Sequence, residues 1–383
     1  MSGSTGSGLG SGNYRPVWVE VDLGAIRHNV REIRRVLAPD VGLLAVVKAS
    51  AYGHGDAQVS HVALEEGASW LGVALVEEGV RLREAGVTAP ILLLSEPPAD
   101  AAEVVLARSL TATVYTAEGI RSLAKAAGDL GVCPEVHIKV DTGMHRVGGS
   151  PEQALALAGL VLEEGMVIGG IWSHLAVADE PGNPFSEVQR RRFDVVCSEM
   201  EALGIRPRLR HLANSGATLL GKEYHYDLVR CGLAIYGYAP SAELAPAVDL
   251  RPAMTLKARV SLVKEVGAGE GVSYGLRYRP EGRSLLATVP IGYADGLPRG
   301  LSGRGVVLVG GKRRPIAGTI TMDQVVLDCG QDRVEIGDEV VLLGEQAGER
   351  ITAVDWAEAL GTIAYEVLAG VRSRIPRVYV EGA

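Results

Sequence analysis

Lys48 closes an apolar run, Leu43-Leu44-Ala45-Val46-Val47, and opens a small glycine-rich turn, Ala49-Ser50-Ala51-Tyr52-Gly53-His54-Gly55. A run of branched apolar residues reads as a strand covered on both faces. An amine at its mouth either reaches water along its stem or gives up its charge. Snorkelling to solvent is the commoner fate of a strand-end lysine. A lysine that sheds its proton can instead attack a carbonyl and form a Schiff base. Further along, the ends of other apolar runs carry Lys139, Asp141 and Arg146, then Ser173 and His174, Asn214 and Ser215, and Arg230, Cys231 and Gly232. Each is weak alone, since a lone histidine is more often a satisfied core residue. Together they make a cationic cluster in a chain of net charge −8, which points to an anionic ligand.

The elements that must gather these groups are legible in the periodicity. Candidate strands fall at 43–48, 70–75, 90–95, 110–115, 135–141, 167–174, 208–214 and 227–232. Helical patterns lie between them at 56–67, 76–85, 118–130, 151–164 and 184–203, and Asp22 is placed to cap a first helix through Ile26, Val30, Ile33 and Val36. Eight alternating strands predict an α/β fold, a (β/α)8 TIM-type barrel over residues 14–240, whose reactive residues collect at the carboxyl ends of the strands. An open doubly wound sheet is the runner-up, but no glycine-rich phosphate loop follows the first strand. After Pro240, Pro246 and Pro252 short strand-like runs at 254–264, 284–290, 305–309, 315–328 and 338–343 predict a mostly β C-terminal domain over 241–383, with one late helix near 353–361. Val17–Val21 is expected to pair into that domain.

In a barrel of this kind the loops after the seventh and eighth strands form the usual phosphate site. Ser215, the backbone at Gly216 and the Gly232-Leu233 turn supply hydroxyl and N–H donors there. A phosphate-bearing aldehyde beside a Schiff-base lysine suggests pyridoxal phosphate. A Schiff-base aldolase acting on a sugar phosphate fits the same inventory, so barrel physics leaves both open.

The segment Val47-Lys48-Ala49-Ser50-Ala51-Tyr52-Gly53-His54-Gly55 closely resembles the pyridoxal-phosphate attachment motif of the alanine racemases. In the same order follow Lys139-Val140-Asp141-Thr142-Gly143-Met144-His145-Arg146, Ser173-His174-Leu175-Ala176, Ala213-Asn214-Ser215 and Arg230-Cys231-Gly232-Leu233. Val272-Ser273-Tyr274-Gly275, Gly292-Tyr293-Ala294-Asp295-Gly296, Thr321-Met322-Asp323-Gln324 and Ala364-Tyr365-Glu366 complete the set, so the resemblance spans nearly everything after residue 14.

That resemblance implies a two-base racemase. Lys48 holds the cofactor and serves one face of the substrate's α-carbon; Tyr274 serves the other. Arg230 faces the pyridine nitrogen, with His174 supporting it. Tyr52, Asn214, Ser215, Gly232, Leu233 and Tyr365 match cofactor binders, mostly at the phosphate. Arg146 matches the residue that holds the substrate carboxylate, and Lys139 a lysine that is often carbamylated. Met322, Asp323 and Tyr274 match residues reaching the site from a second subunit, so a homodimer with shared active sites is expected. Asp179, Arg299 and Tyr293 are expected to line an entrance corridor. Thr319 and Thr321 depart from the family, where many relatives carry arginine and cysteine. The implied activity is interconversion of L- and D-alanine for peptidoglycan. A racemase broader in substrate, acting on serine or basic amino acids, and a cofactor-binding protein without turnover are the alternatives.

Composition excludes other classes. The acidic balance argues against nucleic acid or an anionic membrane as partner. No uncharged stretch of eighteen or more apolar residues is present, so no spanning helix is expected. Cys133, Cys197, Cys231 and Cys329 are widely spaced without a C-x-x-C pair, which suits free thiols in the cytoplasm and no metal site. Residues 1–13, almost all Gly, Ser and Thr, are expected to be a disordered or appended tail.

Overall fold

A computed structural model describes residues 14–382. The tail expected over 1–13 lies outside the described residues. The chain divides into two units, Leu23–Arg251, and the residues up to Asp22 together with Pro252–Gly382.

Strand β1 (Val17–Asp22) runs directly into the helix Leu23–Val36, which buries Ala25, Ile26, Asn29, Val30 and Ile33 as the 3.6 spacing requires. The first unit then carries eight parallel strands: β2 (Gly42–Val46), β3 (Trp70–Val73), β4 (Ile91–Leu93), β5 (Ala112–Val114), β6 (Glu135–Lys139), β7 (Val167–Trp172), β8 (Leu209–His211) and β9 (Leu228–Cys231). They form two four-stranded sheets, β4-β3-β2-β9 and β5-β6-β7-β8. Sparse backbone bonds, not full ladders, join the sheets at both seams. At one seam the Thr111 N–H donates to the Ile91 carbonyl at 2.8 Å and the Leu93 N–H to that of Thr111 at 2.9 Å. At the other, the Asp227 N–H donates to the Arg210 carbonyl and the Arg230 N–H to that of Ala213, both at 3.0 Å. The strands thus follow one another in the cyclic order of a barrel. Their cores are apolar: Leu43, Leu44, Leu71, Ile91, Leu92, Ile138, Ile171 and Val229 are fully buried. A short helix, Ala102–Ala107, follows β4 where the sequence gives little periodic signal.

The second unit is mostly β: β10 (Met254–Arg259), β11 (Leu262–Val266), β12 (Ser284–Val289), β13 (Val306–Val309), β14 (Lys312–Pro315), β15 (Val325–Asp328), β16 (Glu339–Gln346), β17 (Glu349–Ile351) and β18 (Arg377–Val380). As expected, β1 joins this unit, antiparallel to β10 with Val17 opposite Ala258 and parallel to β18 with Val19 opposite Arg377. Two predicted runs are corrected. The 254–264 run breaks at Val260-Ser261, and its halves enter different sheets. The 315–328 run is strand only at its ends. Gly318 takes φ +83, where a Cβ would meet the Val272 carbonyl oxygen at 2.5 Å, and Thr321 closes a turn by donating from its hydroxyl to the Gln324 carbonyl. The helix Ala353–Leu360 is present and a second, Ala364–Gly370, follows it. Among the described residues no helix is long and apolar enough to cross a membrane.

Candidate active site

The turn after β2 is where the chain first departs from ordinary geometry. Ala49, Ser50, Ala51 and Tyr52 all have φ between 51° and 54°, a left-handed turn built without glycine. Each such residue costs about 1–2 kcal/mol, so the turn persists only because its surroundings fix it. The Ala49 N–H donates to Glu78 Oε1 at 2.6 Å, and Glu78 Oε2 accepts the N–H groups of Ala74 and Leu75 at 2.8 and 3.1 Å. One buried carboxylate therefore staples the Lys48 turn to the end of β3. His54 Nδ1 lies 3.0 Å from the carbonyl oxygens of both Ala51 and Tyr52. Behind the turn the buried Tyr236 donates to the Val46 carbonyl at 2.8 Å and packs against Tyr52 and His54, ring centroids 4.8 and 4.6 Å away. Lys48 itself is half-buried. Burial first, then the Arg146 charge, lowers its pKa, with Glu78 opposing.

Arg230 leaves the end of β9 into the interior and is almost wholly buried. Its Nη1 donates to the His211 carbonyl at 3.0 Å and to His211 Nδ1 at 3.2 Å. Its Nη2 donates to the Ser173 and Leu212 carbonyls at 2.8 and 3.1 Å, and to His174 Nδ1 at 3.1 Å. The Nε–H makes none of these bonds, which leaves that edge open to an outside acceptor. Burial lowers the guanidinium to about 9, so it stays charged at neutral pH. Its face lies 4.6 Å from the Trp172 ring, and Lys139 Nζ lies 3.9 Å from the same ring. Lys139 is pushed down to about 7 by burial and then by Arg230, Arg146 and Lys48; Asp141 opposes.

The phosphate-friendly corner is built from β8 and β9. Asn214 caps the short helix Ser215–Leu220, its side-chain oxygen accepting the Ala217 N–H at 3.0 Å. The Ser215 hydroxyl accepts the Gly232 N–H at 2.9 Å. A Cβ on Gly232 would stand 2.6 Å from the Tyr52 hydroxyl oxygen, so glycine is what lets that phenol approach the backbone. Tyr52, Ser215, Gly232 and Leu233, far apart in sequence, thus meet at one corner.

Arg146 lies on the loop after β6, ordered by Asp141, whose Oδ1 accepts the Gly143 and His145 N–H groups at 2.9 and 3.1 Å. Gln189, fully buried, donates to Thr142 Oγ1 and the His174 carbonyl at 3.2 and 3.0 Å and so binds this loop to the one after β7. A small cleft there is lined by Lys139, Asp141, Met144, Arg146, Ser173 and His174. Arg146 is exposed, its charge carrying a donor fork suited to a carboxylate.

The other candidates lie in the second unit. Tyr274 is 74% exposed, Met322 53% and Tyr293 37%. A Cβ on Gly292 would be 2.3 Å from the Thr321 and Met322 carbonyl oxygens, which themselves accept the Tyr293 and Ala294 N–H groups at 3.0 Å. Thr319 is buried and donates its hydroxyl to the Tyr274 carbonyl at 2.8 Å, while its own carbonyl accepts the Ser273 hydroxyl. Thr319 thus braces the Tyr274 turn. Asp323 pairs with Arg374 at 2.8 Å, and Tyr365 is half-buried on Ala364–Gly370.

Sequence reasoning missed Glu78, Gln189, His137 and His211. Glu78 had a signal, as a glutamate three residues past Leu75 can cap the helix Val76–Glu84. The other three owe their positions to packing between distant segments.

The first unit matches the family model for the alanine racemase N-terminal domain over residues 21–240, and residues 253–379 match that for the C-terminal domain. The chain is 46% identical to an alanine racemase of Symbiobacterium thermophilum, over 95% of this chain and 97% of that one. An alanine racemase crystal structure from a D-cycloserine-producing Streptomyces lavendulae superimposes with a TM-score of 0.90 at 45% identity, covering 97% of this chain and 98% of the other. One from Bacillus anthracis with bound L-Ala-P superimposes with a TM-score of 0.91 at 38% identity, covering 97% and 96%.

Proposed function

The chain belongs to the alanine racemase family, and from that premise we propose that it is a two-base enzyme interconverting L- and D-alanine with pyridoxal phosphate. The observation that carries the cofactor assignment is Arg230, a buried charged guanidinium whose Nη hydrogens are spent on protein acceptors while Nε–H makes none of those bonds. That edge fits a neutral pyridine nitrogen, and a group with pKa near 9 or above does not pass a proton to it. Lys48, with its lowered pKa, would hold the aldehyde carbon; Tyr52, Ser215, Gly232 and Leu233, with Asn214 and Tyr365, would hold the phosphate end. Bound there, pyridoxal phosphate supplies an electron sink that acidifies the substrate's α C–H.

The chain's own groups do the rest. Lys48 moves the α-proton on one face of the α-carbon and Tyr274 on the other, since inversion needs one group to remove the proton and another to return it opposite. Arg146 and Met322 position the carboxylate. Arg230, keeping its own proton, would leave a pyridine nitrogen at its edge unprotonated, which would favour proton exchange at Cα over other outcomes. Lys139 sits among Arg230, Arg146 and Lys48, and its conversion to a carbamate would exchange repulsion for a charge-assisted hydrogen bond. The exposed Tyr274, Met322 and Tyr293 support a homodimer in which each C-terminal domain, with Asp323, completes a partner's site. The product would supply peptidoglycan synthesis in the cytoplasm.

Polarimetry of the purified protein with L-alanine, L-serine and L-lysine tests the assignment. Rotation should vanish fastest with alanine; faster loss with serine or lysine selects the broader racemase, and no loss with any refutes turnover. In sedimentation velocity the active species should be a dimer, and a fully active monomer would contradict shared sites.

A further inference from the structure

The barrel interior holds a second set of polar groups, behind Arg230. His137 on β6 and His211 on β8 are both fully buried, with His137 Nδ1 2.9 Å from His211 Nε2. Arg230 can only donate, so His211 Nδ1, 3.2 Å from Nη1, must be a lone pair. A neutral His211 then carries its proton on Nε2 and donates it to His137 Nδ1. His137 in turn must carry its proton on Nε2. That nitrogen is buried and has no hydrogen-bond partner. The carboxylate oxygen Glu135 Oε1, 3.8 Å away, is also buried and unpartnered. The two orphans face one another, a donor toward an acceptor.

The neighbouring strand makes room for these side chains. A Cβ on Gly169 would stand 1.8 Å from Glu135 Oε1, and one on Gly170 would stand 2.6 Å from the His137 ring. The pairing of β6 with β7 slips between Val136 and His137, which sets His137 opposite Gly170. Trp172 stacks on His211 at 5.6 Å between centroids, and Trp70 covers His137 at 5.2 Å. Glu135 Oε2 is held by Arg208.

We propose that Glu135, His137 and His211 form a carboxylate–imidazole–imidazole relay that fixes the direction and charge of Arg230 from the amino-terminal end of the strands. Each imidazole turns its lone pair toward Arg230 and its N–H toward Glu135, so a carboxylate outside the site acts as the remote counter-ion of the guanidinium. Burial and the Arg230 charge push His137 down to about 3, with His211 also well below its ordinary value, so both stay neutral as the relay requires. His137 and Glu135 are then positioning residues. Their effect on turnover rests on the cofactor reading above; the tautomers do not.

Long-range proton–nitrogen NMR on the full chain labelled with nitrogen-15 histidine reads the ring tautomers directly, each of the eight histidines being assigned by a single His→Gln variant. His137 and His211 should both be neutral with the proton on Nε2 from about pH 5.5 to about pH 8.5. Glu135→Gln, which keeps an acceptor but removes the charge, should shift the His137 and His211 signals and lower kcat roughly ten-fold at unchanged KM. A proton on Nδ1 of either ring, a midpoint near the ordinary histidine value, or unmoved signals in Glu135→Gln would each overturn the relay without touching the racemase assignment. Absent racemisation with the predicted tautomers intact would overturn the assignment and leave the relay.

Discussion

At the scale of single residues, the site is a problem of crowded cations. Burial and neighbouring cations lower Lys48 and Lys139, Arg146 being among those cations for both, whereas Arg230, lowered by burial, stays charged at neutral pH. A lysine lowered to about 7 is largely an amine in mildly alkaline solution, and its lone pair can attack carbon dioxide, releasing a proton as the carbamate forms. Carbon-13 bicarbonate should therefore give a carbamate signal in the wild-type protein that is missing from Lys139→Met; equal signals in both would exclude it. These residue types were legible in the sequence, because lysines and arginines at the ends of apolar runs are conspicuous. The histidines behind Arg230 were not, since neither the two-residue alternation that turns His137 and His211 inward nor any motif distinguishes a relay from core filler.

At the scale of elements, the turn at Ala49–Tyr52 carries strain that only its fixed surroundings explain. Ser50 is exposed, and its backbone conformation is one glycine adopts freely. Ser50→Gly should therefore stabilise the fold by about 1 kcal/mol, read as a higher denaturation midpoint; an unchanged or lower midpoint would show that the turn is not strained. The sequence placed a turn here from its glycines, and Gly53 is left-handed, but so are the four non-glycine residues between Lys48 and Gly53. The eight parallel strands were legible because their apolar runs are bounded by polar breaks. The loop between β14 and β15 was not, because Ile316, Ala317 and Ile320 are apolar for a different reason, being buried beneath a turn.

At the scale of the whole molecule, burial of neutral histidines sets an acid limit on stability. His137 falls to about 3, and His174 and His211 lie well below 6.5. Between about 3 and about 6.5 the unfolded chain binds protons that the folded chain does not, so stability rises with pH across that window and is lost on acidification. Each such histidine contributes up to about 1.4 kcal/mol per pH unit. Denaturant titration should show the wild type losing stability from pH 6 to pH 4 more steeply than His137→Gln; parallel slopes would mean that His137 titrates normally.

The two-base claim is tested most directly by following alanine in deuterium oxide with wild type, Lys48→Ala and Tyr274→Phe. Wild type should carry either enantiomer to the racemate, with deuterium at Cα of the inverted product. Lys48→Ala should lose the lysine-bound cofactor's absorbance and nearly all turnover. Tyr274→Phe should keep that absorbance but lose inversion of L-alanine. Unchanged inversion of L-alanine by Tyr274→Phe would contradict the assignment of Lys48 and Tyr274 as the two opposed bases.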